Sequence, residues 1–357
     1  MFAILALTGL IIGPCDPPAR GAGGERIVRR LGAMGTYLTV EVEAAGRKEA
    51  LEASERAIRA IERAEQRLST WRASSELSRL NSTPAGDVLQ LSAELTAELG
   101  EARRIWKETG GAFDPGIGAL VRTFDLRGEG REPEPDEWSL ARSHSGLDQL
   151  GWDRAGDTAR VERKTPGFAI EEGAFGKGAG IDRALESLRE DPAVRVVIDL
   201  GGQVAVLPGT GALPHRVPLA HPDRREEPVL EVSIQRGSLA TSGNSERGLE
   251  VDGERLSHIL DPRKARPAVD FGSLTVHCAS ALEADALSTG LYVMGPDAAL
   301  EYASAREGLE VIVMERTPDG LRLRVTPGLA AAVKPLSPRL SIETHPSLPP
   351  ANLPDHP

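Results

Sequence analysis

The segment LEADALSTGLYV (residues 282–293) predicts a helix that packs on a core and carries a polar pair. Its apolar residues, together with the preceding alanine, recur at helical spacing and form a core-facing stripe: Ala281, Leu282, Ala286, Leu287 and Leu291. Asp285 and Thr289 lie four residues apart, which places them on one face of a helix. The polar pair is therefore expected beside a buried surface.

Elements on both sides of this helix indicate the fold class. GTYLTVEVEA (35–44) alternates apolar and polar residues and predicts a strand, and residues 47–68 predict an amphipathic helix. The same patterns predict helices at 92–109, 176–189, 282–293 and 296–305, and strands ending near Ile170 and at 194–200, 274–278, 309–315 and 321–325, with several short strands up to about residue 251. Helices cluster early and strands later, so we expect an α+β fold with packed helices on a mixed, largely antiparallel sheet.

Composition divides the chain into three parts. Residues 1–24 contain an apolar run and a linker, residues 25–334 are expected to form one folded domain, and residues 335–357 are Pro-rich and expected to be disordered. Within the domain, residues 125–160 are rich in charge, Gly and Pro. They predict a surface excursion that contains one short helix.

The N-terminal run FAILALTGLIIGPC indicates export. It is shorter than the roughly 20 residues that span a bilayer, but it fits the apolar region of an export signal. Cys15 directly after it suggests a bacterial lipoprotein, whereas the lack of a preceding Lys or Arg and the presence of Pro14 argue against one. We expect an exported, periplasmic or cell-membrane-associated protein, and a lipid tether at Cys15 stays open. The alternatives to an export signal are a mis-set start codon and an uncleaved anchor.

The remaining composition excludes several classes of protein. The 357 residues are 40% hydrophobic, which is enough for a substantial core. The net charge of −11 disfavours a general nucleic-acid binder. Cys278 is the only other cysteine and is expected to be buried, so neither a disulfide framework nor a zinc cluster is available. A phosphate ligand would have to be held locally by backbone amides, a metal or a few cations.

Two loops near the polar pair carry groups suited to chemistry. TSGNSERG (241–248) supplies hydroxyls and glycines, and HILDP (258–262) supplies a histidine and an aspartate. Hard oxygen donors suit Mg²⁺ or Ca²⁺, and a histidine can move protons near neutrality. The pattern indicates metal-assisted chemistry on an anionic group such as a phosphate. A solvated face for Asp285 and Thr289, and a strand cap or a hydrogen bond to Asp261 for His258, remain alternatives.

A glycine-rich turn and an aromatic residue extend this pattern. GAFGKG (173–178) is a turn into a helix whose amide groups can face a phosphate, although a turn alone also needs only glycine. Trp71 follows a predicted helix. Such a residue is commonly part of a core, but an exposed indole could stack on a planar ring.

Eight motifs resemble one family when they are read in order. They are MGT (34–36), STW with SSELSRLN (69–71 and 74–81), GAFDPGIGALV (111–121), EEGAFGKGAGID (171–182), DLGG (199–202), TSGNSERG, HILDP and ADALSTG (284–290). Over about residues 30–315 the chain is similar to the FAD:protein FMN transferases, the ApbE-like family. The resemblance implies a Mg²⁺-dependent cleavage of FAD, attachment of FMN through its phosphate to a Thr or Ser of a partner flavoprotein, and release of AMP.

The resemblance also implies roles for individual residues. The metal would be bound by the carbonyl of Ala174 and by Asp285 and Thr289, and His258 would act as the general base. The flavin and adenine pocket would contain eight residues: Met34, Trp71, Ala112, Phe113, Asp114, Glu171, Lys177 and Ile259.

Three positions depart from the family pattern. Glu171 stands where Asp is usual, Ser288 where some relatives have a second acid, and Gln203 where Asn is common. At Glu171 we expect either a shifted contact with the flavin nucleotide or a part played by Glu172. We also expect only three protein ligands for the metal, and a neutral change in a structural turn at Gln203.

Two alternative functions stay open on the sequence. An FAD diphosphatase, in which water attacks and FMN and AMP are released, would use nearly the same residues. A flavin-binding carrier without turnover would follow if Glu171 or Ser288 disabled metal binding. The expected acceptors are flavoproteins of respiratory redox complexes with a Thr or Ser flavinylation motif.

Overall fold

The computed structural model describes residues 24–191, 194–244, 249–251, 254–337 and 340–346. In chain order the strands are β1 Glu25–Ala33, β2 Thr36–Ala44, β3 Val88–Gln90, β4 Leu150–Ala155, β5 Thr158–Arg163, β6 Arg195–Leu200, β7 Gln203–Leu207, β8 His215–His221, β9 Arg224–Ile234, β10 Gly237–Gly243, β11 Leu249–Val251, β12 Glu254–Leu256, β13 Leu260–Asp261, β14 Arg266–Pro267, β15 Gly272–Cys278, β16 Glu310–Thr317, β17 Gly320–Val325, β18 Val333–Pro335 and β19 Ile342–Thr344.

The helices in chain order are α1 Arg47–Leu68, α2 Glu76–Ser82, α3 Ala93–Glu108, α4 Gly118–Thr123, α5 Pro135–Ser143, α6 Gly176–Glu186, α7 Ala281–Met294, α8 Pro296–Ser304 and α9 Pro327–Ala330, with a 3₁₀ turn at Leu147–Gln149. Within the described ranges, no helix has the length and apolar character needed to cross a bilayer. The N-terminal run and Cys15 lie outside these ranges.

The main sheet runs through the whole domain. Its nine strands within the described residues have the order β1-β2-β6-β7-β10-β15-β16-β17-β19. All neighbours are antiparallel except β17 and β19, which are parallel. Two three-stranded sheets, β18-β9-β8 and β3-β5-β4, lie beside it. The predicted α+β fold with a largely antiparallel sheet is confirmed.

Alternate residues of a strand point to opposite sides of the sheet, and other elements cover both sides of the main sheet. On β6, Val196 and Ile198 pack with residues of α1 and α6, whereas Val197 packs with residues of the β18-β9-β8 sheet. Helix α7 packs on β10 and β15 and contacts α6. The helices α1, α6 and α7 therefore form one layer, and the small sheet covers the opposite face.

The long helices closely match their sequence predictions. Helix α1 has the predicted bounds, and α7 extends the prediction by one residue at each end. Helix α3 begins after Ser92, whose hydroxyl accepts the Leu95 N–H, and it ends before Gly110 and Gly111, which both have positive φ. Cys278 is buried as expected, and burial raises the pKa of its thiol.

The strand predicted to end near Ile170 is wrong. Strand β5 ends at Arg163, and Ile170 lies in a connection that is neither helix nor strand. The side-chain amide of Asn81 takes the place of a neighbouring strand there, because it accepts the Ile170 N–H at 2.8 Å and donates to the Ile170 carbonyl at 2.9 Å. A single side chain thus satisfies the backbone that the pattern assigned to a sheet.

The charged excursion contains more structure than the sequence indicated. Besides the expected short helix, α5, it contains the β4-β5 hairpin, which buries Ala159 and Val161. Strand β1 and helix α2 were not predicted. Within the Pro-rich terminal segment, residues 342–344 form β19 and pair with β17, whereas residues 347–357 lie outside the described residues.

Gln203 is more than a neutral position in a turn. Its side chain is buried, and its amide donates to the Ala281 carbonyl at 2.8 Å and to the Ser238 hydroxyl at 3.3 Å. Gln203 therefore connects the start of β7 to the first turn of α7. That the change from Asn to Gln is neutral stays a prediction.

Two carboxylates join α6 and α7, each at the N-terminus of the other helix. Asp182 on α6 accepts the backbone N–H groups of Ala281 and Leu282 at 2.7 and 2.9 Å, and Asp285 on α7 accepts the N–H of Gly178 at 3.1 Å. Helix N-termini leave such N–H groups without partners inside the helix. The two helices thus cap each other.

The helices approach closely because Gly178 has no side chain. A Cβ at this position would lie 2.1 Å from the Ala281 carbonyl oxygen, where only backbone could move. We predict that Gly178→Ala lowers the free energy of unfolding by about 2 kcal/mol or more, since overpacking outweighs the gain in helix propensity. Urea denaturation checks this. Gly32→Ala, whose nearest neighbour would be 3.9 Å away, is the control; equal stability of the two variants would contradict the close approach.

Candidate active site

The carboxylate of Asp285 lies at the junction of α6 and α7. Only 6% of its side chain is exposed. The Lys177 ammonium lies 3.1 Å from Oδ1, and the Gly178 N–H donates to Oδ2 at 3.1 Å. Two donors from α6 therefore fix the orientation of this carboxylate, and the solvated-face alternative for Asp285 does not apply.

Hydroxyl groups extend the site along α7 and β10. Ser242, near the end of β10, lies 2.9 Å from the Ser288 hydroxyl and 3.5 Å from that of Thr289. Ser288 also donates to the Asp285 carbonyl at 2.8 Å. Ser288, which replaces an acid of some relatives, is thus used in a hydrogen bond that ties α7 to β10.

The loop before α6 brings further predicted residues to the same junction. Ala174 is half-buried, two residues before the first residue of α6, and Lys177 lies in the first turn. Carbonyl, carboxylate and hydroxyl oxygens from Ala174, Asp285 and Thr289 are the donor types that Mg²⁺ prefers. The described residues contain no group of three or more His, Cys, Asp or Glu side chains arranged for a metal. The donor set here is one carboxylate with neutral oxygens.

Met34 lies against the other side of α6. It has φ of 50°, and its N–H donates to Glu65 of α1 at 3.1 Å. A Cβ at Gly180 would lie 3.1 Å from the Met34 sulfur. Gly176 and Gly180, which have no side chains, thus leave room for Met34 beside α6.

Trp71 lies on a loop that contacts the start of the α6 segment. Its side chain is 72% exposed, so the interpretation as a core residue is wrong. The adjacent Thr70 donates to Glu172 at 2.7 Å. Arg127 forms an ion pair with Glu171, donates to Thr70 at 2.6 Å, and lies over the Trp71 ring at 4.6 Å from its centre.

Glu171 is largely buried beside this group. Burial raises the pKa of its carboxyl, and the charge of Arg127 opposes that rise. The Glu171 carboxylate forms an ion pair with Arg127, and its contact with the flavin nucleotide stays a prediction. Glu172 points to Thr70 instead.

Ala112, Phe113 and Asp114 are buried rather than lining an open surface. Phe113 packs against Gly290 of α7, where a Cβ would lie 2.8 Å from the Phe113 Cβ. Asp114 accepts the N–H groups of Gly116 at 2.7 Å and Leu147 at 3.0 Å. These residues position the loop next to Thr289, and their contact with a ligand stays a prediction.

His258 lies partly exposed between Ser257 and Ile259, which are both buried. The Ser257 hydroxyl donates to the Asn244 side chain at 2.8 Å, two residues beyond Ser242. The loop of His258 is thus linked to the end of β10 and through Ser242 to α7. Ile259 is packed in the core, 7% exposed. Residues 245–248 of TSGNSERG lie outside the described residues.

Asp261 is engaged by its own loop. Arg263 donates to it from its backbone N–H and its guanidinium at 3.0 to 3.2 Å, and Lys264 lies 3.5 Å away. Burial tends to raise the pKa of Asp261, but these hydrogen bonds and charges lower it overall. Asp261 is therefore a weaker proton acceptor than an ordinary aspartate.

Sequence motifs thus converge on the N-termini of α6 and α7. The profile of the ApbE family matches residues 34–313. The chain belongs to the ApbE family. Its ApbE-family relatives include the FAD:protein FMN transferase of Escherichia coli (strain K12), 29% identical over 91% of this chain and 95% of that protein. The enzyme of the same name from Salmonella typhimurium is 30% identical over 90% of this chain and 94% of that protein.

Solved structures of ApbE proteins have the same fold. The flavin transferase ApbE from Vibrio cholerae matches with a TM-score of 0.73 and 26% identity, over 87% of this chain and 99% of that one. The ApbE protein from Thermotoga maritima matches with a TM-score of 0.74 and 26% identity, over 87% of this chain and 97% of that one.

Sequence reasoning missed several residues that hold α6, α7 and β10 together at this junction. Gly178 and Asp182 lie in a motif that was read as a phosphate-facing turn, and Ser242 in one that was read as a loop. Gly178 and Asp182 lie four residues apart on α6, and this spacing could have indicated that they share one face of the helix. No sequence pattern indicated a role for Arg127, because it lies in the segment predicted to be a charged surface excursion.

Asp114 predicts a pH dependence of stability. Burial raises its pKa to about 6 from 3.8, against the two backbone hydrogen bonds. The folded state therefore holds this proton more tightly, so the stability contributed below about pH 4 is lost as the pH rises through 6. Relative to Asp114→Asn, the free energy of unfolding of the wild type should fall by about 2.4 kcal/mol between pH 4 and pH 7, at about 1.4 kcal/mol per pKa unit. A difference that is constant or rises with pH in urea titrations would contradict this.

Proposed function

We propose that this protein is an FAD:protein FMN transferase, which cleaves the diphosphate of FAD, attaches FMN through a phosphoester to a Thr or Ser of a partner flavoprotein, and releases AMP. Family membership and the names of its relatives support this. The observation that carries it is the carboxylate of Asp285, fixed by Gly178 and Lys177 where the N-terminus of α6 meets α7.

The start of α6 suits a diphosphate. The positive end of the α6 dipole attracts anions, and Lys177 adds a positive charge there beside Asp285, which already accepts the Gly178 N–H. Asp285 by itself would repel a diphosphate, so a cation between them would be required. Mg²⁺ fits the oxygens of Ala174, Asp285 and Thr289, and would supply charge neutralisation for the leaving AMP.

The general base in this proposal is His258. It is partly exposed, and its loop is tied through Ser257 and Asn244 to the end of β10 next to the site. Asp261, the other candidate in HILDP, is held by Arg263 and Lys264 with a lowered pKa. An acceptor hydroxyl needs a base because it is a poor nucleophile until its proton is removed.

The acceptor and the location are also proposals. The family resemblance supports acceptors among flavoproteins of respiratory redox complexes with a Thr or Ser flavinylation motif. The apolar N-terminal run supports an exported, periplasmic or membrane-associated protein, with Cys15 as a possible point of lipidation.

The activity is tested with FAD, Mg²⁺ and an acceptor domain. We expect AMP release together with flavin fluorescence that stays on the acceptor after denaturation. Release of both FMN and AMP into solution would indicate a diphosphatase, and binding of FAD without AMP release would indicate a carrier. Either result contradicts the transferase.

Substitutions on α7 test the metal ligands. We predict that Asp285→Ala abolishes AMP release at millimolar Mg²⁺, because it removes the charged ligand, and that Thr289→Val is milder because a neutral hydroxyl contributes less. Excess Mg²⁺ should partly restore Thr289→Val alone. Circular dichroism and urea denaturation serve as folding controls. Normal AMP release from a folded Asp285→Ala protein, or the reverse order of the two variants, contradicts the site.

Substitution of His258 separates the base from a binding role. We predict that His258→Asn binds FAD like the wild type but transfers flavin about 10² to 10⁴ times more slowly, because the loss occurs in the transition state. Lys177→Ala should instead weaken FAD binding first. His277→Asn, on β15, is the matched control and should transfer normally. Weaker FAD binding by His258→Asn, with unchanged transfer per bound FAD, would make His258 a pocket residue.

A further inference from the structure

Trp71 is an exposed indole on a rigid loop. The Ser69 hydroxyl accepts the backbone N–H of Trp71 at 3.2 Å. The Ser69 carbonyl accepts hydrogen bonds from the hydroxyls of Ser75 at 2.6 Å and Ser78 at 3.0 Å. Trp71 is 72% exposed, and the free surface of its ring can stack on another planar group. The loop therefore presents a flat apolar surface rather than a flexible side chain.

Arg127 covers one face of this indole. Its guanidinium lies 4.6 Å from the ring centre, within the range of a cation–π contact. The same group donates to Thr70 and pairs with Glu171, and Thr70 in turn donates to Glu172. Arg127 thus connects the Trp71 loop to the segment that leads into α6.

The backbone around Arg127 is also fixed. Asp125 has φ of 51°, and its carbonyl accepts the N–H groups of Gly128 at 3.0 Å and Gly130 at 3.2 Å. Phe124 and Leu126, the residues on either side of Asp125, are buried. A compact turn anchored in the core therefore holds the arginine over the indole.

The ion pair makes it costly for Arg127 to leave. The Glu171 side chain is only 17% exposed and lies beside Glu172, so loss of the guanidinium would leave a buried carboxylate without its counter-charge. Arg127 is expected to stay in place when a ligand binds. The opposite face of Trp71 is then the one available for stacking.

We propose that Arg127 is a positioning residue that holds Trp71 as a one-sided stacking platform for a planar ring of the dinucleotide. This inference rests on the proposed function, which supplies FAD as the ligand. In this inference Arg127 orients the indole that binds the ring, and does not itself contact the phosphates. The ring stacks on the face that Arg127 leaves open, next to the diphosphate end of the site at α6.

A double-mutant cycle on the full chain tests this inference. Arg127 and its counter-charge are removed together in R127Q/E171Q. This double variant keeps the net charge of the wild type and leaves no buried carboxylate without a partner. We expect the dissociation constant of FAD to rise roughly 3- to 30-fold, the range of a partly exposed cation–π contact. In a W71L background the same pair of changes should alter FAD binding by less than about twofold, because the platform is already absent.

Controls separate the alternatives. The FAD affinity of E171Q alone is measured as the reference for R127Q/E171Q, so that the effect of Arg127 is separated from that of Glu171. R142Q, which removes the cation–π contact between Arg142 and Trp138 at 5.4 Å, should leave the FAD affinity unchanged. With R127Q/E171Q, KM for FAD should rise while kcat for AMP release changes little. Equal losses with and without Trp71, or a full loss with E171Q alone, overturn the inference. A wild type that binds FAD but gives neither AMP nor flavin transfer contradicts the proposed function instead, since the stacking cycle can still be measured.

Discussion

The structure depends on the reciprocal capping of α6 and α7. Asp182 accepts the first N–H groups of α7, and Asp285 accepts the Gly178 N–H in the first turn of α6. Gly178 allows the contact because any side chain would meet the Ala281 carbonyl. The carboxylate that caps α6 is thereby held among protein donors instead of water. The same contact that joins the two helices also places a buried, oriented acid beside a helix N-terminus, which is the arrangement that the proposed chemistry needs.

Other elements are arranged around this junction by polar side chains rather than by the sheet alone. Asn81 holds the segment before α6, Ser242 ties β10 to α7, and Gln203 ties β7 to the first turn of α7. Acidic groups near the site each have a defined partner: Asp285 with Lys177, Glu171 with Arg127, and Asp261 with Arg263. An acidic protein can therefore bind an anionic dinucleotide, because the local charges are balanced in pairs.

The sequence predicted the elements better than their contacts. The helical stripe of α7 and the pair Asp285 and Thr289 follow from local periodicity, and α1 follows from the same signal. The contacts of Gly178 and Asp182 could not be assigned, because their partners are 99 to 107 residues away and only the packing of α6 on α7 brings them together. Ile170 was misread since an extended chain can be satisfied by one Asn side chain as well as by a strand. Arg127 lies in a charge-rich segment whose composition resembles any solvated surface, so only the contact with Trp71 distinguishes it.

Anomalous diffraction from crystals soaked with Mn²⁺ and FAD tests the proposed metal site most directly. The account predicts an anomalous peak within about 2.5 Å of an Asp285 oxygen, with Thr289 and the Ala174 carbonyl among its ligands and the FAD diphosphate on its open side. The Gly178 N–H should still donate to the carboxylate. A diphosphate bound with no peak at Asp285, or a peak held by other residues, would contradict the assignment of the α6 and α7 junction as the metal site.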